Sequence, residues 1–479
     1  MASKNISFNQ IPGGIKKPGI YIEQDTSLSK RALPSTARRI LIVGQRIAAG
    51  TVAELVPKQI FSEAEAAGFF GVGSQLHLMC KAAIERNPLA DITAIALTDA
   101  GAGVAAAGTF TLTGPATSAG TIRVFVGDQS VDVAIASGDA AAAIAAAINT
   151  ALNAKASLPV TSAAPAAVVT ITAKNKGLCG NDIGMGYEIT NAAGVGCAVV
   201  AMASGATDPT LQSALTVVLG TRYHLIVTPY NNQTDLATLK AHLATVSGPV
   251  EQRGCVGVYA TTGALASATT LSGQTNGIRQ AGAFARYTAA TQKKTPSWQI
   301  AAIAAAAISA VPDIAEPIKN LDMTGVALPA IADRLTRTEQ ETCLTGGVSP
   351  IEVGPGETPR LVRMPTTYIT DGNAQPVFVD VHKIFGMDYV RDAAIGDLSA
   401  KAPKKIIREG NPTTLEILMN IVLDTAYKCQ EAGVLTGVTS YRDQFLVEED
   451  LQNVGQMNIL MPSPVVEGLY VVAVKQVLY

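Results

Sequence analysis

Charge is scarce in this sequence. Asp, Glu, Lys and Arg together supply 15% of its 479 residues, against roughly a quarter in ordinary soluble domains. A free-standing monomer uses charge to stay apart from its copies, so a long chain this weakly charged implies surface meant to be covered. The charges nearly cancel, to a formal −2, and the Lys and Arg residues are scattered. That excludes the concentrated basic footprint of a protein that coats nucleic acid. The histidines, His77, His224, His242 and His382, lie far apart without metal-ligand spacing. Six cysteines include no C-x-x-C pair, which argues against zinc and against a small disulfide scaffold, and they read as reduced, buried thiols.

Long apolar runs are missing too. Residues 1–14 have no apolar core behind a positive segment, so no secretory signal is read. The most apolar helix-like run, 300–308, is mostly alanine and far short of the ~18–20 residues a membrane span needs. The expectation is a soluble protein made in the cytoplasm, with no direct membrane insertion.

Catalytic signatures are absent as well. Gly44-Gln45-Arg46-Ile47-Ala48-Ala49-Gly50-Thr51 follows an apolar run but lacks the Lys of a phosphate loop. Gly68-Phe69-Phe70-Gly71-Val72-Gly73 has the wrong glycine spacing for a dinucleotide fingerprint. There is no G-x-S-x-G elbow, and Glu448-Glu449-Asp450 reads as a solvated turn. No catalytic residue, metal site or cofactor is predicted.

What is present is an alternation of strand and helix signals. Apolar runs at 40–44 and 92–97 read as buried strands. Between them Ser74 caps a helix striped by Leu76, Met79, Cys80, Ala83 and Ile84, which Pro88 ends. Residues 101–208 then turn rich in Ala, Gly, Thr and Val, with short strands at 109–112, 121–126, 131–135 and 168–172 around a helix at 139–154. Gly/Ala runs at 101–108 and 194–208 flank this block, as expected for a module spliced into a host domain. The host pattern resumes with strands at 225–227 and 256–259. A helix striped by Leu236, Leu239, Leu243 and Val246 and an Ala-rich helix at 298–310 accompany them.

A Pro-punctuated linker at 312–329 leads to a capping box, Thr336-Arg337-Thr338-Glu339. A second helix begins at Asn411-Pro412-Thr413, with Leu415, Leu418, Met419, Val422 and Ala426 on one face. The fold class is multidomain α/β (α+β): a discontinuous α/β core with an inserted β-rich domain and extended N- and C-terminal strand arms. The expected parts are an N-terminal arm at 1–30 and a discontinuous middle domain at 31–102 plus 207–330. An inserted domain at 103–206, a C-terminal α+β domain at 331–462 and a C-terminal arm at 463–479 complete them.

The two ends carry the functional signal. Gly19-Ile20-Tyr21-Ile22-Glu23 alternates at the strand period behind Pro18, inside a segment too polar to build its own core. The chain closes on Leu469-Tyr470-Val471-Val472-Ala473-Val474-Lys475-Gln476-Val477-Leu478-Tyr479, another β-prone stretch. Strands in arms leave backbone groups unpaired and need a partner sheet. Gly19, Ile20, Tyr21, Ile22 and Glu23, with Leu469, Tyr470, Val471, Val472, Val474 and Val477, are therefore the candidate arm contacts, with a sheet of their own subunit or of a neighbour's.

Ile6-Ser7-Phe8-Asn9-Gln10-Ile11-Pro12 and Lys17-Pro18-Gly19-Ile20-Tyr21-Ile22-Glu23 resemble the start of Mu-type contractile bacteriophage tail-sheath proteins (the myovirus family). The resemblance continues through Thr170-Ile171-Thr172-Ala173-Lys174-Asn175-Lys176-Gly177 and Gly180-Asn181-Asp182-Ile183 in the insertion. It extends to Asp333-Arg334-Leu335-Thr336, Gly346-Gly347-Val348 and the closing Gly468-Leu469-Tyr470. It implies a structural subunit, not an enzyme, that forms six-fold helical rings of its own copies around an inner tail tube. Baseplate and tail-terminator proteins are its further implied partners, the virion tail its location and the host cytoplasm its place of assembly. Contraction then drives the tube through the host envelope. The resemblance also implies a tube-facing helix in the C-terminal domain, for which Glu416, Asp424, Lys428 and Glu431 are the candidate contacts. Another phage structural protein (tube or capsid) and an α/β enzyme with a lid are the alternatives.

Overall fold

The apolar run at 40–44 forms β1 (Arg39–Gln45), buried at every position after the first, as a parallel strand covered on both faces must be. The computed structural model describes residues 16–22, 38–289, 292–370, 379–409 and 412–478. After β1 come β2 (Lys58–Ile60), α1 (Glu63–Phe70), α2 (Gln75–Arg86) and β3 (Asp91–Leu97). Ser74 caps α2 as expected, its hydroxyl accepting from the His77 amide at 3.2 Å.

The inserted block contributes β4 (Ala105–Thr113), β5 (Gly120–Val126), β6 (Gln129–Ile135), α3 (Ala141–Ala154), β7 (Val160–Ala163), β8 (Val168–Lys176), β9 (Met185–Thr190) and β10 (Gly196–Ala203). They make two antiparallel sheets, ordered β10-β4-β8-β7 and β6-β5-β9. The stretch 194–208, which reads as a Gly/Ala flank, thus holds a full strand against β4. Smallness there is a packing requirement: a Cβ on Gly108 of β4 would stand 2.5 Å from the Met185 sulfur and 2.8 Å from the Val200 carbonyl.

The host resumes with α4 (Leu211–Val217), β11 (Leu225–Val227), α5 (Gln233–Val246), β12 (Val256–Thr262), α6 (Leu265–Thr275), β13 (Gln280–Ala285) and α7 (Ser297–Ser309). Then follow β14 (Lys319–Asp322), α8 (Arg337–Thr345), β15 (Val348–Gly354), β16 (Thr358–Arg363) and α9 (Val381–Lys401). Six strands run parallel in the order β15-β13-β12-β11-β1-β3. Antiparallel β2 closes one edge, and β16 followed by β14 closes the other. The sheet therefore continues past residue 330, where the sequence suggested a boundary, and β14 lies inside the expected linker. Against it packs α7, whose residues from Ser297 to Ile308 are all buried. A helix apolar all round is a core helix.

The larger unit comprises Ala37–Asp388 and Glu467–Tyr479, and a smaller one is built on Tyr389–Val466. The smaller unit holds the rest of α9, α10 (Thr414–Glu431), β17 (Leu446–Glu449) and β18 (Met457–Leu460). Thr413 and Glu416 close a capping box at the start of α10. Its buried face carries Leu418, Ile421, Val422, Thr425, Ala426 and Cys429, whereas Leu415, expected on that face, is 39% exposed. Glu448 and Glu449, read as a turn, end strand β17.

Among the described residues, neither expected arm strand has a ladder. Residues 16–22 and 469–478 take no regular secondary structure. Among the described residues no helix is long and apolar enough to cross a membrane.

Candidate assembly surface

Strand order reverses around β1, since the chain moves first to β3 and later to β11 on the other side. In open α/β sheets the crevice at the carboxyl ends of such strands takes the ligand. Here the inserted module occupies it. The Gln45 amide, at the end of β1, donates to the Lys176 carbonyl at 2.7 Å and to Asp99 at 2.8 Å. Cys179 donates to the Pro229 carbonyl at 3.4 Å, just beyond β11. Asn231 donates to Asp182 at 3.1 Å, and Ser297 bonds the same carboxylate.

Gly73 (φ +78) lets the host approach the module: a Cβ there would stand 2.4 Å from the Leu158 carbonyl. The two chain crossings pair through Val104 and Ala206, forming a neck at which Asp208 accepts from the Leu178 amide at 2.7 Å. Burial, with the nearby charges of Asp235 and Asp182 adding to it, pushes the Asp208 carboxyl up to about 6 against these amide bonds. Burial also raises Asp182 and Asp235. Among the described residues, no group of three or more His, Cys, Asp or Glu side chains could hold a metal ion.

The C-terminal segment is pinned at its root and, among the described residues, takes no strand ladder beyond it. The Tyr470 ring lies on the Arg363 guanidinium, 3.8 Å from centroid to carbon, and its hydroxyl shares a 3.1 Å hydrogen bond with His382 Nδ1. Arg363 is held by Asp380 through bonds of 2.8 and 2.7 Å. Lys383 pairs with Glu467 at 2.7 Å, and Lys319, on edge strand β14, donates to the Leu469 carbonyl. Burial, helped by the Asp380 charge, drives the Tyr470 phenol upward, and burial lowers His382. Tyr470 thus differs from the rest of the predicted arm set, because its side chain packs on its own chain. Leu469, Val471, Val472, Val474 and Val477 are exposed, and among the described residues they belong to no ladder.

The N-terminal set is exposed too. Ile20 is 93% and Ile22 83% accessible, and Tyr21 bonds the Lys17 carbonyl at 3.1 Å. Glu23 lies outside the described residues. Where the globular part begins, Arg38 is buried, donating to the carbonyls of Ile308 at 2.6 Å and Val311 at 3.0 Å. Burial, opposed by Asp313, lowers its pKa to about 10.

Of the helix α10 candidates, Glu416 serves as a cap, accepting from the Thr413 amide at 2.8 Å. Asp424 and Lys428 pair with each other at 2.9 Å and belong to a cluster with Asp397 and Lys401. Glu431 is exposed at the helix end. Sequence reasoning missed Arg38, Arg363, Asp380 and the anchoring role of His382. Their partners are distant in the chain, and no local spacing announces them. Among the described residues, β17 and β18 form a two-stranded sheet. Their Leu446–Leu460 cross-strand pair is 47% and 58% exposed.

Residues 204–367 match the family described as the phage tail sheath protein central domain. The sequence is 27% identical to the Mu-like prophage FluMu tail sheath protein of Haemophilus influenzae, over 95% of this chain and 96% of that one. Among solved structures, the helical sheath of the anti-feeding prophage in its contracted state is similar in fold, with TM-score 0.51 and 14% identity over 97% of this chain and 99% of that one. The sheath tail protein of Desulfitobacterium hafniense aligns over 90% of this chain and 93% of that one, with TM-score 0.49 and 14% identity.

The central domain and the full-length relative define a structural protein of the contractile tail sheath class. Within that class the sequence is similar, along nearly its whole length, to a Mu-like prophage tail sheath protein, and the chain is a structural subunit of a contractile sheath and a component of the virion tail.

Proposed function

We propose that the chain assembles in the host cytoplasm as six-fold helical rings around an inner tail tube, each subunit tied to its neighbours by strand exchange through both terminal arms. Contraction then drives the tube through the host envelope, with baseplate and tail-terminator proteins at the two ends and no cofactor or catalytic step. The observation that carries this reading is the run Val471, Val472, Val474 and Val477, exposed and without a ladder, beyond a root pinned at Tyr470.

Backbone donors and acceptors demand partners. Strand addition supplies them with little demand on side chains, so such bonds survive rotation between subunits. The two-stranded β17–β18 sheet offers its outer edges for this purpose. The decisive experiment deletes residues 1–24 or residues 471–479 and images the purified chains by negative stain. Each truncated chain is expected to be folded, soluble and unable to form tubules. Normal tubules from either would overturn the reading.

The parts keep the roles set out by sequence: arms at 1–30 and 463–479, an inserted surface module at 103–206, and a C-terminal sheath domain whose α10 faces the tube. Glu416 and Glu431 lie on the surface of that helix, and exposed ion pairs there contribute under about 1 kcal/mol each, weak enough for a sliding contact. Asp424 and Lys428 contribute less, being engaged with Asp397 and Lys401. A map of the assembled tail with α10 on the outside of the sheath would refute this placement.

A further inference from the structure

Two chain ends, far apart in sequence, meet on one helical turn. Arg38, where the N-terminal segment enters the globular part, lies over the Phe385 ring at 4.7 Å. Tyr470, where the C-terminal segment leaves it, bonds His382 and meets that ring edge-on at 6.1 Å. Lys383 takes Glu467. His382, Lys383 and Phe385 all belong to the first turn of α9, with Asp380 just before it holding the arginine under Tyr470.

The two rings of this turn are 1% and 7% exposed. Close-packed side chains do not slide by fractions of an ångström without displacing their neighbours. Arg38 has little freedom either, because its guanidinium is fixed to carbonyls at the end of α7.

We infer that the first turn of α9 is a shared anchor that positions the roots of both terminal arms, so that displacing one root displaces the other. His382 and Phe385 are the positioning residues, acting through Tyr470 and Arg38. The inference rests on the strand-exchange reading for its purpose, since it makes a pull on one arm felt at the root of the other. Its geometry stands apart from that reading. Coupling of this kind needs a contiguous packed path, and here the path is Arg38, Phe385, the helix turn, His382 and Tyr470.

The test uses the unassembled full chain, in a Cys197→Ser background because Cys197 is only half-buried while the other thiols are buried. A nitroxide is attached to a cysteine replacing Val471, which is 78% exposed. Arg38→Lys keeps the charge but removes the planar fork, and Phe385→Leu keeps an apolar side chain without the ring. Each is expected to shorten the label's correlation time at least twofold, although neither residue touches the C-terminal segment. Phe385→Tyr is expected to restore it, and Tyr470→Phe to release the label directly. Circular dichroism confirms folding, and Phe385→Leu carries the test if Arg38→Lys does not fold. An unchanged label in Arg38→Lys and Phe385→Leu, beside a freed one in Tyr470→Phe, would overturn the shared anchor. Because mobility is read without assembly, tubules formed by an arm-truncated chain would sink the exchange reading and leave this result standing.

Discussion

Arg279 grips Asp388 with two prongs, one guanidinium nitrogen 2.7 Å from each carboxylate oxygen. Gly254 passes so close that a Cβ there would stand 2.2 Å from that carboxylate. Both charged side chains are largely covered, at 20% and 10% exposure, so removing one partner strands the other in a poorly solvated place. Asp388→Asn is expected to cost about 2–3 kcal/mol, read as a lowered urea midpoint. Gly254→Ala should destabilise as well, by forcing the pair apart. A midpoint unchanged in both variants would show the pair to be energetically idle.

Acid should loosen the smaller unit at an identifiable point. Burial alone would raise Asp397, but hydrogen bonds from Lys401, Lys428 and Thr425 outweigh it and hold the carboxyl at about 2. A depressed carboxylate stabilises fully above its unfolded value near 4, and that contribution is lost as pH falls through about 2. After allowance for solvent screening, the loss is about 1–2 kcal/mol. Asp397→Asn should be less stable by that amount at pH 7 and match the parent near pH 2, as followed by denaturant titration.

The neck of the inserted module should respond the other way. Asp208 is raised to about 6, so the folded joint retains a proton that the unfolded chain gives up near 4. Stability therefore grows as pH falls from 7 through 6, by about 1 kcal/mol at pH 5. The urea midpoint should rise correspondingly on going from pH 7 to 5, although protonation weakens the bond that Asp208 accepts from the Leu178 amide. Asp208→Asn should abolish that dependence.

Excising the module between Val104 and Ala206, which already pair, should leave tubule formation intact and lower the melting temperature. The loss follows from the seat it vacates, because Gln45 loses the Lys176 carbonyl and the Gln75 amide loses Asn175. A folded excised chain that stays monomeric under assembly conditions would place the module inside the lattice.

Much of this architecture was legible locally. The continuous apolar run of β1, the Ser74 cap, the stripe of α5 and the capping boxes at Thr336 and Thr413 are all written within a few residues of where they act. β10 was not legible, because Gly196-Cys197-Ala198-Val199-Val200 resembles a linker until β4 lies beside it. β15 and β16 escape the sequence for a related reason: β15 is placed by pairing with β13, and β16 by pairing with β15, not by their own pattern. At the assembly surface, the sequence announces a β-prone C-terminal stretch, whose valines the single chain leaves exposed. The pin at Tyr470 was not legible, since Arg363 and His382 reach it only through the tertiary fold.

The alanines of α7 have a mechanical consequence. Ala301, Ala302, Ala304, Ala305, Ala306 and Ala307 are buried, and an alanine has no rotamer to switch, so this slab of the larger unit cannot absorb shear by repacking. A load applied to the larger unit therefore passes through it undeformed and appears as strain wherever the chain is least packed. Under the proposed strand exchange, the spring of a sheath that shortens would lie in the arms and between subunits, with the sheet and α7 moving as a stiff block.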